Sequence, residues 1–108
     1  MEYVTVYERI VEEARAIVGD VAVTQAGRVA GVSVDAEGTV LSERELDKED
    51  IEELIEVYRD IVGDGAVGIG RRAITALEEG DREGLKSLDL PVDILPSDLR
   101  ADLFAESF

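Results

Sequence analysis

From residue 48 onward apolar residues return every three or four positions: Ile51, Leu54, Ile55, Tyr58, Ile61 and Val62. That spacing collects them on one side of a helix and leaves the polar residues between them on the other. Asp47 stands where an N-cap is needed, its carboxylate able to accept from the free amides of the first turn. Asp50 adds negative charge near the positive end of the same helix. Gly63 stops it, because glycine takes the left-handed conformation a C-cap requires. Asp64 then caps a second helix whose buried stripe is Ala66, Val67, Gly70, Ala73, Ile74 and Leu77, closed at Glu79-Gly80-Asp81. The predicted unit is helix, Gly-Asp, helix.

The same pattern occurs 44 positions earlier. Glu8, Glu12 and Arg15 fall on Glu52, Glu56 and Arg59, and Ile17-Val18-Gly19-Asp20 falls on Ile61-Val62-Gly63-Asp64. Ala22, Val23 and Arg28 fall on Ala66, Val67 and Arg72. Ten of the 21 positions from 8 to 28 are identical, where chance gives about one or two. The two halves are therefore expected to share one local structure.

Taken alone, the first copy is more ambiguous. Tyr3, Tyr7, Ile10, Ala14 and Ile17 form a helical face ended by Gly19. Residues 21–25 have β propensity and Val32–Val34 alternates, so propensity alone permits a three-stranded antiparallel meander over 20–42, an α+β alternative. The repeat favours helix for 21–30, because Asp20, Ala22 and Val23 sit where the second copy starts its second helix. Beyond residue 31 the repeat fades. Val32–Val34, the turn 35–38 and Thr39–Leu41 then predict a short β-hairpin, which must pack on the helices or pair with a second chain. Further on, Leu85, Leu88 and Leu90 precede Pro91, and Val92, Ile94 and Leu95 precede Pro96. Ser97 reads as the N-cap of a last amphipathic helix with Leu99, Leu103 and Phe104. The fold expected is a mainly α helical bundle in a single domain over 1–108. Its repeat copies cover about 4–30 and 48–79, with an inserted hairpin at 31–42 and a C-terminal tail at 81–108.

Charge changes the picture more than any motif. The chain has 26 Asp+Glu against 11 Lys+Arg, a formal net charge of −15, and its only lysines are Lys48 and Lys86. Such an excess repels itself in dilute buffer. At molar salt the Debye length falls to about 3 Å and most of that repulsion disappears. With 45% hydrophobic residues the chain is no disordered acidic tail. Cysteine is absent, which removes disulfides and thiolate chemistry. No apolar run approaches the roughly 18–20 residues that span a bilayer, and no signal-like start precedes the first helix. A cytoplasmic protein without membrane attachment is expected.

None of the candidate chemistry is strongly specified. Gly63-Asp-Gly65-Ala-Val-Gly68 matches the dinucleotide fingerprint, but that motif needs a strand before it, and here a helix is expected. The first copy also lacks two of the glycines. Arg71 and Arg72, with Arg28 at the repeat position of Arg72, are the candidate ligand-binding residues, since guanidinium groups clamp carboxylates and phosphates. Pairing with the Glu-rich faces of neighbouring helices explains the same residues equally well. With neither histidine nor cysteine, a metal would need oxygen ligands alone, and residues 35–38 do not have the register of an EF-hand loop. No metal, cofactor or catalytic residue is indicated. A helix-turn-helix DNA reader needs a basic face, and the presumed recognition helix offers only Arg71 and Arg72, so nucleic acid is disfavoured as a partner.

A helix, Ile-Val-Gly-Asp with Ala two residues later, and a second helix carrying Arg-Arg-Ala resembles small conserved haloarchaeal proteins of unknown function and accessory signalling domains. The resemblance covers roughly residues 48–77 and, more weakly, 8–28, together with the acidic composition. It implies a regulatory domain and transfers no catalytic residues. The reading this supports is a non-enzymatic, salt-adapted interaction or regulatory module, acting as a homodimer or with a protein partner. The alternatives are a small anion- or nucleotide-binding protein or enzyme built on Arg71 and Arg72, and a DNA-binding protein.

Overall fold

The structure, a computed structural model, describes residues 1–96. These form the α-helices α1 (Tyr3–Val18), α2 (Val21–Ala26), α3 (Lys48–Val62) and α4 (Gly65–Lys86), then a 3-10 turn at Val92–Ile94. The chain is mainly helical. Residues 21–26 are helix, so the alternative meander over 20–42 does not form, but the helix expected over 21–30 ends at Ala26 and residues 27–30 are turn. The β-branched residues there are overruled by packing: Ala22, Gln25 and Ala26 turn into the core. The buried hydroxyls of Tyr7 and Tyr58 donate to the carbonyls of Ala26 (2.6 Å) and Ala22 (2.9 Å). Two other helices thus hold this short one by its backbone.

Both Gly-Asp junctions have the same geometry. Gly19 and Gly63 have φ of 73° and 61° with ψ of −149° and −138°, a region essentially reserved for glycine. Each donates its N–H at 2.9 Å to the carbonyl four residues back, Arg15 or Arg59. The following aspartates differ from expectation. Asp20 and Asp64 are already helical, with φ of −64° in each, and neither side chain caps its helix. A capping side chain needs the extended backbone that Asp47 has (φ −136°, ψ −175°). Asp20 pairs with Arg15 at 3.4 Å instead, and both aspartates keep negative charge at a helix start. Asp47 does cap α3, and reciprocally: its carboxylate accepts from the Asp50 amide at 3.1 Å while the Asp50 carboxylate accepts from the Asp47 amide at 2.9 Å.

The core is one cluster. It combines Val6, Tyr7, Ile10, Val11 and Ala14 of α1 with Ile51, Leu54, Ile55 and Tyr58 of α3 and Ala66, Ile69, Ala73 and Ile74 of α4. The backbone leaves helical dihedrals at Asp81 (φ −154°, ψ 76°), so α4 is kinked where its end is expected. Asp81 then accepts from the Gly84 amide at 2.9 Å, opening a last turn that buries Leu85. Ile94 packs beside Gly70 and Ile55, where a Cβ on Gly70 would lie 2.6 Å from the Ile94 Cγ2. The expected N-cap Ser97 and the helix of Leu99, Leu103 and Phe104 lie outside the described residues.

The expected β-hairpin at 31–42 is corrected to a single antiparallel bridge, Val34 to Val40, with no strand among the described residues. Two ladder bonds form, from the Leu41 amide to Ser33 and from the Asp35 amide to Thr39, but side chains take the amides that would complete them, Ser42 Oγ accepting from Ser33 and Asp35 Oδ1 from Thr39 at 2.9 Å. On the outer edge Glu8 accepts from Val40.

Candidate functional site

The three predicted arginines occupy three separate surroundings. Arg28 is exposed in the turn after α2 and donates to Gln25 Oε1 at 2.9 Å. Arg71, on α4, donates through Nε to the Asp93 carbonyl at 3.1 Å and so fastens the segment of the 3-10 turn to the helix. Arg72 lies about 100° further round the helix, exposed, its side chain with no hydrogen bond or ion pair among the described residues. Among the described residues the three share no acceptor, and none lines the cleft at the chain start or the one between α3 and Pro91–Ile94. The Gly63–Gly68 stretch follows the helix α3, not the strand that the dinucleotide fingerprint needs.

A more organised arrangement involves residues that the sequence did not single out. The loop joining α2 to α3 crosses the outside of the first copy and is held there by its backbone. Glu8, on α1, accepts the Val40 amide at 2.8 Å. Arg15, two turns further along the same face, donates to the Glu37 carbonyl at 3.4 Å. Between them Gly38, at φ 89°, rests on Val11, with room for no Cβ: one would meet the Val11 Cγ1 at 2.9 Å. At the far end of the loop Arg44 makes a two-pronged pair with Asp50 (2.7 and 2.9 Å) and also donates to the Ala30 carbonyl at 3.0 Å. That guanidinium holds the Asp50 carboxyl, only 5% exposed, below the usual carboxylate range. The same bond raises the guanidinium's own value.

Two clefts of about 400 Å³ accompany this framework. One lies at the chain start, among Tyr3, Val40, Arg44, Leu46 and Leu88. The other lies in the second copy, between α3 and the segment Pro91–Ile94, with Lys48, Glu52, Glu56 and Arg59 along its helical wall. Glu52 and Arg59 are the repeat positions of Glu8 and Arg15. Among the described residues no three carboxylates are grouped as metal ligands, and no helix is long and apolar enough to cross a membrane.

No protein-family model, curated protein or solved structure matches the chain.

The remaining feature is apolar. Ile17 is 51% exposed, Val21 48% and Ile61 37%. The spacing places Ile17 and Ile61 on the buried faces of their helices, yet both occur in the last turn and are exposed. The Tyr58–Ala22 hydrogen bond holds the end of α3 against the first turn of α2. These three side chains therefore lie on helix ends that are joined to one another.

Proposed function

We propose that the protein is a salt-adapted interaction module, without chemistry of its own, that self-associates through the end of the bundle bearing the Gly-Asp junctions. The observation behind this reading is the exposure of Ile17, Val21 and Ile61 on connected helix ends. Isolated exposed apolar residues are ordinary, whereas grouped ones mark contact surfaces. Ile17 and Ile61 are moreover the same repeat position, which gives the surface an internal likeness suited to an isologous dimer, where one patch meets itself. A net charge of −15 opposes such association in dilute buffer and is screened at molar salt.

Anion binding is a second reading with one observation in its favour, Arg72, which is exposed and has no partner among the described residues. Because Arg28 and Arg71 are engaged elsewhere, it reduces to a single side chain, and DNA reading by α4 is weakened for the same reason.

Sedimentation equilibrium in molar KCl tests the leading reading. A mass about twice 11.7 kDa is expected, falling to the monomer in the Ile17→Glu, Ile61→Glu double variant. A monomeric parent protein across the accessible concentration range would refute self-association.

A further inference from the structure

The two copies differ at the positions that border Ile17 and Ile61. Ala16 and Val21 of the first copy are Asp60 and Gly65 in the second, and all four are exposed. The first border therefore projects apolar bulk, with Val21 48% exposed, whereas the second is small and carries one more carboxylate. Nothing within the chain calls for glycine at 65. Its φ is not positive, and a Cβ there would make only ordinary contacts, to Val62 at 3.7 and 3.8 Å. The space above it is open to the surface.

Charge is arranged in the same complementary way. In the first copy Arg15 reaches Asp20 at 3.4 Å. In the second copy the equivalent pair does not form: Arg59 turns to Glu56 at 3.7 Å, and the carboxylates of Asp60 and Asp64 have no partner among the described residues. The first copy thus offers a guanidinium beside bulk, and the second offers carboxylates beside a gap.

Two registers can seat such a patch on a second copy of itself. With the two-fold axis along the line from Ile17 to Ile61, each copy meets its own counterpart, and the carboxylates of Asp60 and Asp64 confront one another across the contact. With the axis crossing that line at its middle, the first copy of each chain meets the second copy of the other. Val21 then lies over Gly65, and Arg15 faces Asp60 and Asp64. Juxtaposed like charges are strongly penalised, and complementary ones fix the register of an interface. Molar salt does not erase the distinction, because pairs partly buried in a contact are screened far less than exposed ones. We infer, resting on the self-association proposed above, that the dimer is crossed: the first Gly-Asp junction of each chain seats against the second junction of the other, with Val21 over Gly65 and Arg15 against Asp64.

The absence of cysteine allows a direct test on full chains. Val21→Cys and Gly65→Cys chains are prepared separately, then oxidised in molar KCl, each alone and as an equimolar mixture. The mixture should yield a disulfide-linked dimer, identified by mass as one chain of each kind, several-fold above the linked dimer in either variant alone. Linked dimer in the single-variant samples, with no increase on mixing, would overturn the crossed register and leave self-association standing. No linked dimer in any sample, while the reduced mixture sediments at twice 11.7 kDa, would overturn it by moving the contact away from the junctions. A monomeric parent chain would instead remove the self-association on which the register rests. Charge exchange supplies a second readout. Asp64→Arg should weaken association about tenfold or more, and adding Arg15→Asp to the same chain should restore it, with the pair re-formed in reversed sign. Failure of the second change to restore association would overturn the pairing of Arg15 with Asp64.

Discussion

Single residues matter here chiefly where they bind backbone. Tyr7 and Tyr58 donate to α2, Glu8 and Arg15 secure the connecting loop, and Arg71 secures Asp93. Burial pushes both tyrosine hydroxyls above their ordinary value, so they remain donors across the accessible pH range. Asp50 is the group whose titration reports on this framework. Its partners are Arg44 in the loop and Asp47 at the helix start, and it faces Tyr7 on α1, while Glu53 acts on Arg44 and Tyr7 from the same helix. Because its folded value is depressed below the ordinary 3.8, the pairing stabilises the fold above that value and is lost as pH falls through the folded one. Arg44→Ala is expected to lower the denaturation midpoint at neutral pH, and the gap to the parent should close as pH is taken below about 3.9. Urea titrations at constant ionic strength over that interval check it.

Among the elements, the long helices were legible because their apolar spacing is regular and their ends carry Asp47, Gly19 and Gly63. The repeat rightly outweighed β propensity at residues 21–26. The hairpin is cut to one bridge because Ser42 Oγ and Asp35 Oδ1 take the Ser33 and Thr39 amides that would complete its ladder, a competition that alternation of apolar residues does not reveal. The role of Arg71 is hidden for a different reason: it binds a main-chain carbonyl 22 residues away, and local pattern holds no trace of such a partner. Ile17 and Ile61 are more exposed than their spacing implies because both stand in the last turn of a helix, and periodicity gives a face without saying how far along it neighbours pack. The junction between α4 and the 3-10 turn yields a sharp expectation. Gly70→Ala would bring a Cβ within 2.6 Å of Ile94 Cγ2, and overpacking of this kind costs about 1–3 kcal/mol. Chemical denaturation should show that loss, whereas the same change at Gly68, with nothing near its Cβ position, should be neutral or slightly stabilising.

For the whole molecule, charge and association are one question. Thermal denaturation in increasing KCl is expected to show a rising midpoint from about 0.1 to 1 M, as the Debye length shrinks from roughly 10 to 3 Å. A midpoint insensitive to salt over that range would remove salt adaptation from the account. Association through the junction end should strengthen over the same interval, because two chains of charge −15 must approach. The most direct measurement is an isotope-filtered NOE experiment on a mixed sample, one chain labelled at isoleucine methyls and the other unlabelled, in molar KCl. Contacts between chains should involve the methyls of Ile17 and Ile61 and leave those of Ile10, Ile51 and Ile74 silent. Interchain contacts elsewhere, or none at a concentration where the mass has doubled, would contradict the proposed surface.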